Sequence, residues 1–435
     1  MTTASGDAST ILARRGRVLS PTYRLFYEAP LQIVRAEDVW MYDEHGRRYL
    51  DAYNNVPVVG HCRPEVVEAL VRQARTLNTH TRYLAEQPLQ LAEELLATLP
   101  EELDSVIFTC TGSEANDLAA RTAKTVTGGS GFIITDFAYH GGTELVTGMS
   151  PEEGNPLGPG VYSVAAPLGE LAAATFGSRV EECIARMRAD GVRLAALLLD
   201  TVFASDGIAT HPTGFLADAA RHVRGAGGLL IADEVQPGFG RLGETMWGFE
   251  RHGVIPDLVT LGKPMGNGHP VAAVVARREV FSEFARQRHY FNTFGGNSVS
   301  CAVALAVLQV IRRERLRENA LRSGGHLLHG LRALARRRAV VRDVRGSGLF
   351  IGVELGANPA SGLAGSAEAR RVVNEMRTRG VLLGSTARNG DVLKIRPPLT
   401  FTIEHADLLL DALEKTLQCA GATAGGGAGD FPSVV

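Results

Sequence analysis

Acidic residues and a lysine follow two short apolar runs in the middle of this sequence. Residues 229–232 (LLIA) are followed by Asp233 and Glu234, and residues 258–261 (LVTL) are followed, after one glycine, by Lys263. Runs this short, ended by charge or glycine, are typical of buried strands in a parallel sheet. Ligands of open α/β sheets bind beyond the carboxyl ends of the strands, so we expect the acid and the lysine to face one ligand.

Lys263 has few competitors as a reactive amine. Although Lys and Arg together number 45, lysine occurs only at positions 124, 263, 394 and 415. Arginine cannot replace it in a Schiff base, because the guanidinium stays protonated and delocalised. Lys124 follows a helical pattern, Lys394 lies in a predicted strand and Lys415 lies on an amphipathic helix, whereas Lys263 ends a strand among glycines. A Schiff-base lysine with an acid for a ring nitrogen is what pyridoxal 5′-phosphate (PLP) chemistry needs; the plainer alternative is a lysine in a surface turn.

The composition is that of a globular protein. Of 435 residues, 45% are hydrophobic and 21% are charged, and the formal net charge is −2. This balance predicts no nucleic-acid or membrane-surface partner, and no apolar run approaches the roughly 18 residues of a membrane span. The N-terminus lacks the apolar segment of a secretion signal, and the five cysteines are scattered without a CxxC pair. We therefore expect a cytoplasmic protein with reduced thiols and no metal site.

The order of predicted elements indicates an α/β fold with a mostly parallel central sheet and helices on both faces. We expect the large ligand-binding domain to span residues 61–310 and a smaller α+β domain to span residues 311–420. Residues 1–60 are expected to join the small domain and the pocket. Residues 421–435, rich in glycine, are expected to form a flexible tail.

Three further segments are expected to lack regular structure. Residues 1–15 are small and polar, then basic, and residues 150–170 are rich in proline and glycine. Residues 54–61 break all periodicity between a predicted hairpin, which turns at Gly46, and a helix. This last segment is either a simple loop or part of a pocket wall.

A strand followed by glycine and serine suggests a phosphate site. Residues 105–109 (SVIFT) form a predicted strand, and a helix begins near Gly112 and Ser113. The free N–H groups and the positive dipole at a helix N-terminus bind phosphate, although an ordinary capped helix explains the same pattern. Tyr139 follows another predicted strand, residues 131–135, where its ring either stacks on a flat heteroaromatic ring or fills the core.

Six separated motifs resemble the class III aminotransferase family of PLP fold type I. They are CTGSEAND (110–117), AYHGG (138–142), IADEVQPGFGR (231–241), TLGKPMGNG (260–268), FNTFGGN (291–297) and IRPPL (395–399). The resemblance implies a PLP-dependent enzyme that moves an amino group from an amine or amino acid to a keto or aldehyde acceptor through a Lys263 aldimine. It also implies an obligate homodimer with the site at the subunit interface.

The resemblance implies a role for each residue around the cofactor ring. Lys263 resembles the Schiff-base lysine, which also moves a proton between substrate and cofactor. Asp233 resembles the acid that keeps the pyridinium nitrogen protonated. Gln236 resembles the residue that hydrogen-bonds the phenolic oxygen, and Tyr139 and Val235 would contact the two faces of the ring.

Other motif residues resemble ligands of the phosphate and the substrate. Gly112 and Ser113 would bind the phosphate, and Thr293 resembles a residue that reaches it from the neighbouring subunit. Arg396 resembles the arginine that holds a substrate carboxylate, the alternative being a structural arginine at a sheet edge. Asn55 and Tyr83 are expected to shape the substrate pocket. These last two complete the predicted site.

A finer resemblance leaves the reaction open. Residues 24–70, 81–84 and 262–272 resemble the branch that contains phospho-lyases of amino-alcohol phosphates. Those enzymes expel a leaving group and do not move the amino group. Asp200 and Thr201 stand where aminotransferases commonly have a Glu-Pro pair. The position of Arg396 and the prevailing chemistry of the family favour transamination; the alternative is a PLP-dependent phospho-lyase or ammonia-lyase.

Two other classes of protein fit less well. Residues 229–234 (LLIADE) imitate the Walker B strand of a P-loop ATPase, but such a protein needs Gly-Lys followed by Ser or Thr, and Lys263 is followed by Pro264. A non-catalytic PLP-binding regulator needs a DNA-binding module. The family resemblance fills the chain, and the net charge of −2 indicates no basic domain.

Overall fold

The apolar runs of the sequence assemble into three sheets flanked by helices. The structure, a computed structural model, describes residues 8–359 and 361–418. The strands are β1 Ile33–Glu37, β2 Trp40–Asp43, β3 Arg48–Asp51, β4 Ser105–Thr109, β5 Gly131–Thr135, β6 Val161–Val164, β7 Leu194–Asp200, β8 Leu229–Asp233, β9 Leu258–Leu261, β10 Ala272–Ala276, β11 Val341–Ser347, β12 Phe350–Leu355, β13 Val381–Leu382, β14 Gly384–Thr386 and β15 Val392–Ile395. The helices are α1 Ala8–Val18, α2 Pro64–Thr76, α3 Glu86–Leu96, α4 Gly112–Thr127, α5 Glu144–Thr147, α6 Glu170–Ala174, α7 Phe176–Ala189, α8 Leu216–Gly225, α9 Arg278–Gln287, α10 Ser298–Arg313, α11 Leu316–Arg337, α12 Gly365–Thr378 and α13 Ile403–Gln418, with 3₁₀ turns at Pro151–Glu153, Gly248–His252 and Lys263–Gly266.

The largest sheet has seven strands in the order β4-β10-β9-β8-β7-β5-β6. Strands β6, β5, β7, β8 and β9 run parallel, and β10 lies antiparallel to both β9 and β4. β7, with the sequence LAALLLD, is buried at every position before its final aspartate. A strand buried on both faces requires cover on both sides of the sheet. The predicted mostly parallel sheet is confirmed.

Alternate side chains of β5 show how both faces are covered. Phe132 and Ile134 pack in one cluster with the alanine-rich face of α4, whereas Ile133 packs in another with α7 and α8. This division follows from the alternation of side chains along a strand. The predicted placement of helices on both faces is also confirmed.

Two smaller sheets lie beside the large one. The first is antiparallel, in the order β11-β12-β15-β14, and agrees with the predicted α+β part of the chain. The second has the order β1-β2-β3-β13, in which β3 runs parallel to β13. The N-terminal hairpin, which turns at Gly46 as predicted, is thereby tied to the C-terminal part of the chain. The domain boundaries at residues 60, 310 and 420 stay predictions, and the predicted tail at 421–435 lies outside the described residues.

Two segments predicted to be irregular contain regular elements. α1 begins at Ala8, inside the segment 1–15. Its alanine, leucine and arginine residues are strong helix formers. The small polar residues that begin the segment 1–15 led to the prediction of irregular structure. β6 lies inside the segment 150–170, because the four-residue run Val-Tyr-Ser-Val pairs with β5 despite the surrounding prolines and glycines.

Arg241 lies in the loop after β8 and connects this loop to the C-terminal part of the chain. Its side chain is fully buried, and Nη1 donates to the carbonyl oxygens of Leu349 at 3.1 Å and Pro397 at 2.6 Å. Pro397 directly follows the strand end that carries Arg396. The guanidinium therefore fixes the position at which β15 leaves its sheet.

A glycine pair in α11 tests the packing of the small domain. A Cβ at Gly324 would overlap the carbonyl of Gly348 in the turn between β11 and β12, whereas a Cβ at Gly325 would meet nothing within 4 Å. We expect Gly324→Ala to lower the free energy of unfolding by about 1–3 kcal/mol through overpacking. The control Gly325→Ala should raise it by about 0.5–1 kcal/mol, because alanine is the better helix former. Chemical denaturation measures both, and equal effects would contradict this packing.

Candidate active site

The strand order brings the predicted lysine and acid together. β8 and β9 are adjacent and parallel, with Asp233 opposite Thr260 in the register. Lys263 follows β9 after Gly262, so both side chains lie at the carboxyl rim of the sheet. A Cβ at Gly262 would lie 3.1 Å from the Cα of Gly112, so the start of α4 closes against the same rim. The fold therefore places Asp233 and Lys263 at the same rim of the sheet.

Asp233 is buried and held from three directions. Its Oδ2 accepts hydrogen bonds from Asn116 Nδ2 and from His140 Nδ1, each at 2.8 Å, and its Oδ1 accepts one from the backbone N–H of Val235 at 3.1 Å. Because a carboxylate only accepts, the proton of His140 lies on Nδ1. Thr260 Oγ1 in turn donates to Asn116 Oδ1 at 2.6 Å. This network orients one carboxylate beyond the end of β8.

Sequence reasoning missed the partners of Asp233. Asn116 and His140 both lie inside motifs that were recognised, but neither was given a role. The spacing of residues 116, 140 and 233 does not indicate that they meet, because they lie in three separate βα units. A buried polar residue on an otherwise alanine-rich helix, such as Asn116 in α4, is the signal that was available.

The amine of Lys263 has a lowered basicity. Burial and, after it, the positive charge of Arg396 together lower the pKa of Lys263 to about 8, against the opposing charges of Asp233, Asp200 and Glu152. Nζ lies 5.8 Å from the centroid of the Tyr139 ring. A neutral amine is the nucleophilic form, so this environment prepares Lys263 to react with a carbonyl group.

Glycines and a serine form a cradle at the start of α4. Ser113 Oγ accepts a hydrogen bond from the N–H of Gly142 at 3.1 Å. A Cβ at Gly141 would overlap Ser113, so the two loops approach too closely for any side chain there. With the N-terminal N–H groups of the 16-residue α4, this cradle suits a phosphate. The acid, the lysine and the cradle together fit PLP.

Arg396 and Gln236 occupy the side of the site near the N-terminal loop. Arg396 is buried, and its Nη1 donates to Gln236 Oε1. Its guanidinium carbon lies 5.0 Å from the ring centroid of Tyr53, and its backbone N–H donates to the carbonyl of Ala52 at 2.9 Å. Ala52 and Tyr53, directly before the irregular segment 54–61, therefore lie against Arg396, which supports the reading of that segment as part of a pocket wall. Asn55, in this wall, is buried with no hydrogen-bond partner for Nδ2 among the described residues.

Val235 is buried beside the start of α4, whereas Tyr83 and Thr293 are exposed. The methyl groups of Val235 would lie 3.0 Å from a Cβ at Gly112. Tyr83 is 67% exposed and stacks on His80, with ring centroids 5.2 Å apart. Thr293 is exposed too. In the described chain neither Tyr83 nor Thr293 joins the buried group around Lys263.

The second acid of the opening motif, Glu234, faces away from Asp233. Its carboxylate accepts hydrogen bonds from the N–H groups of Gly248 at 2.7 Å and Phe249 at 2.8 Å, and from Thr201 Oγ1 at 2.8 Å. Alternation along β8 explains why Asp233 and Glu234 point to opposite sides. Glu234 therefore has a structural role, since it holds the turn that begins at Gly248 against the end of β8. The hydroxyl of Thr201 contributes to the same set of hydrogen bonds.

Asp200 lies on the same rim as Asp233. It accepts hydrogen bonds from the N–H groups of Val202 at 2.8 Å and Ala204 at 3.0 Å. Burial, with the nearby charge of Asp233, raises the pKa of Asp200 to about 6. The side of the pocket that departs from the aminotransferase pattern thus carries an acid that titrates close to neutrality.

The pH dependence of cofactor loading tests the environment of Lys263. Because the neutral amine reacts, we expect the rate of PLP attachment to the cofactor-free protein to rise with pH through a midpoint near the pKa of about 8. An ordinary lysine has its midpoint at about 10.4. Stopped-flow absorbance measures the rate. Arg396→Gln should move the midpoint upward, since it removes a positive charge that lowers the pKa, and a midpoint near that of ordinary lysine in the unaltered protein would contradict this site.

Comparisons with known proteins agree with this arrangement. The family model for class-III aminotransferases matches residues 25–417. An alanine–glyoxylate aminotransferase 2-like protein of Drosophila melanogaster is 40% identical over 423 residues, covering 93% of this chain and 86% of the relative. The ethanolamine-phosphate phospho-lyase homolog 1 of Caenorhabditis elegans is 34% identical, covering 94% of this chain and 93% of the relative. The solved structure of an Arthrobacter phospholyase in complex with phosphoethanolamine aligns with a TM-score of 0.90 and 41% identity, covering 94% of this chain and 99% of that one.

Proposed function

Because this chain belongs to the class III aminotransferase family, we propose that it binds PLP at Lys263 and transfers an amino group from a small amine or amino acid to a keto or aldehyde acceptor. The family resemblance seen in the sequence is confirmed, and the family is PLP-dependent. The observation that carries the proposal is the placement of Lys263 and Asp233 at the ends of adjacent parallel strands. When bound, PLP supplies an electron sink for the carbon that bears the amino group.

Each residue of the site has a proposed task. Asp233, held by Asn116 and His140, keeps the ring nitrogen of the cofactor protonated. Lys263 holds the cofactor and moves the substrate proton, for which its lowered pKa suits it. The remaining contacts follow the resemblance: Tyr139 and Val235 contact the ring, Gln236 its phenolic oxygen, and Gly112 and Ser113 its phosphate.

Arg396 and Asn55 are proposed to bind the substrate. Both are buried and both carry unpartnered donors, Nε in Arg396 and Nδ2 in Asn55, among the described residues. A buried donor without a partner costs free energy unless a ligand satisfies it. The donors therefore suit an anionic or oxygen-rich substrate.

Elimination from an amino-alcohol phosphate is the second candidate. Asp200 and Thr201 replace the Glu-Pro pair that is common in aminotransferases, and Thr201 is committed to Glu234. The Caenorhabditis elegans relative and the Arthrobacter structure carry phospho-lyase names. Both candidates use the same lysine and the same proton abstraction, and they differ in whether a leaving group departs.

A half-reaction without acceptor separates the two candidates. PLP-loaded protein is mixed with simple amines and amino acids, or with phosphorylated amino alcohols, while the visible spectrum and free phosphate are followed. Transamination should convert the cofactor lastingly to its amine form without phosphate. Elimination should restore the starting spectrum and release phosphate and ammonia in equal amounts. Lys263→Ala should abolish either outcome, whereas Lys124→Ala, at an exposed lysine, should change neither; turnover by Lys263→Ala would overturn the proposal.

We also propose a homodimer in which Thr293 and Tyr83 reach the partner's site. Exposed apolar side chains surround these residues: Phe294 is 68% exposed, Phe291 43% and Leu84 fully. His80 contacts the rings of both Tyr83 and Phe291, so they form one surface. An exposed apolar cluster of this kind is typical of a subunit interface.

A charge at this surface tests the dimer. Phe294→Glu should shift the protein toward monomer, because a carboxylate in an apolar interface loses its hydration. Sedimentation velocity measures the association state. Leu171→Glu, at an 80% exposed leucine of α6, is the matched control and should leave the state unchanged. A monomeric unaltered protein would contradict the dimer.

The remaining expectations from the sequence stay predictions. None of the helices within residues 8–359 and 361–418 is long and apolar enough to cross a membrane. The cytoplasmic location and the lack of a nucleic-acid partner stay predictions of the sequence.

A further inference from the structure

The motif that carries Lys263 also contains Asn267. This residue closes the 3₁₀ turn Lys263–Gly266, where its N–H donates to the carbonyl of Pro264 at 3.0 Å. Its φ of 49° lies in the left-handed region, which asparagine adopts more readily than most residues with a side chain. Glycine would suit this backbone at least as well, so the contribution particular to asparagine is its side-chain amide.

The amide of Asn267 binds the main chain of the irregular segment 54–61 at two adjacent residues. Its Oδ1 accepts a hydrogen bond from the N–H of Val59 at 3.0 Å, and its Nδ2 donates one to the carbonyl of Gly60 at 2.8 Å. Val59 also packs in the same hydrophobic cluster as Met265 of the lysine turn. Two hydrogen bonds of opposite polarity fix both the position and the orientation of a peptide segment, as they do between paired strands.

The start of the same segment lies against the proposed substrate-binding arginine. The N–H of Arg396 donates to the carbonyl of Ala52 at 2.9 Å, and its guanidinium carbon lies 5.0 Å from the ring centroid of Tyr53. Asn55, whose buried Nδ2 has no hydrogen-bond partner among the described residues, follows directly in the chain. The groups proposed to bind the substrate thus lie at one end of the segment, and Asn267 holds the other end.

We propose that Asn267 is a positioning residue that holds segment 54–61 against the turn of Lys263, and so sets the place of the substrate-binding groups relative to the reactive amine. The inference rests on the proposed function, since it concerns the pocket in which Lys263 would hold PLP. Because hydrogen bonds tie the two segments together, a ligand that stabilises the lysine turn also opposes local opening of segment 54–61. Attachment of PLP should therefore restrain this segment, and the effect should depend on Asn267.

Hydrogen exchange at a single amide tests this link. The N–H of Val59 reports on it directly, because its acceptor is Asn267 Oδ1. Asn267→Gly keeps the left-handed backbone accessible and removes the amide, so we expect the Val59 N–H to exchange about tenfold faster or more. PLP loading should slow this exchange in the unaltered protein and not in Asn267→Gly. Mass spectrometry with fragmentation to single residues measures the rates, and equal Val59 rates in the two proteins would overturn the proposal.

Two further variants separate the loss of the amide from the insertion of glycine. Arg315 also has a left-handed backbone, with a φ of 52°, and its side chain is 77% exposed at the start of α11. Arg315→Gly should leave the exchange of the Val59 N–H unchanged. Asn267→Asp keeps an oxygen for Val59 and loses the donor to Gly60, so its exchange rate should lie between those of the unaltered protein and Asn267→Gly.

The dependence of the half-reaction on amine concentration distinguishes positioning from general support of the fold. The amines are L-alanine and O-phosphoethanolamine, mixed with PLP-loaded protein. Asn267→Gly should raise the half-saturating amine concentration by about tenfold and change the limiting rate by less than about threefold, because it displaces the substrate-binding groups and leaves Lys263 and Asp233 in place. A lower limiting rate at an unchanged half-saturating concentration indicates a loss of active protein and would contradict positioning.

Failure of the proposed function gives a different result. A protein that takes up no PLP lacks the visible absorption of the bound cofactor, whichever residue stands at position 267. The exchange of the Val59 N–H in the cofactor-free protein then still decides whether Asn267 holds segment 54–61.

Discussion

The hydrogen bonds to the Asp233 carboxylate are the interaction on which the site depends. They join the end of β8 to α4 through Asn116 and to the loop after β5 through His140. The same loop supplies Tyr139 and the glycines that face Ser113, so the acid, the aromatic ring and the phosphate cradle are fixed by one network. A small shift of this carboxylate would therefore displace all three. Thr260, at the end of β9, extends the network toward Lys263.

Charge is distributed across the rim in opposing groups. Asp233 and Asp200 end adjacent strands, while Lys263, Lys394 and Arg396 come from later parts of the chain. Burial shifts the pKa of each lysine downward and that of Asp200 upward, so the folded site favours neutral forms. Such a site exchanges protons at little cost when a charged ligand enters, which is what acid–base chemistry near neutral pH requires.

The sequence alone predicted the parts of the site that lie within short motifs. The apolar runs before Asp233 and Lys263 are buried strands of the sheet, as their short length and terminal charge or glycine predicted. The start of α4 was likewise predicted, because glycine and serine follow a predicted strand there. Each of these signals is local, so a single sequence contains it.

The missed residues depend on contacts between distant segments. Lys394 was set aside as a residue within a strand, yet it is buried near enough to Lys263 and Arg396 for their charges to lower its pKa. His140 lies in a recognised motif, but its contact with Asp233 spans 93 residues. β6 and α1 were missed for a different reason, since short or polar elements carry weak periodicity.

The backbone hydrogen bond from Arg396 to Ala52 has a consequence for the order in which the protein matures. It joins Ala52 to Arg396, of which the ribosome makes the first long before the second. The pairing of β3 with β13 spans a comparable stretch of chain. Contacts this distant in sequence form late, because the intervening chain must first be made and ordered. The seven-stranded sheet is built wholly from residues 105–276, so its strands are complete before Arg396 is made and can bind the segment around Ala52. A nascent chain therefore holds the acid and the lysine before it has a closed pocket.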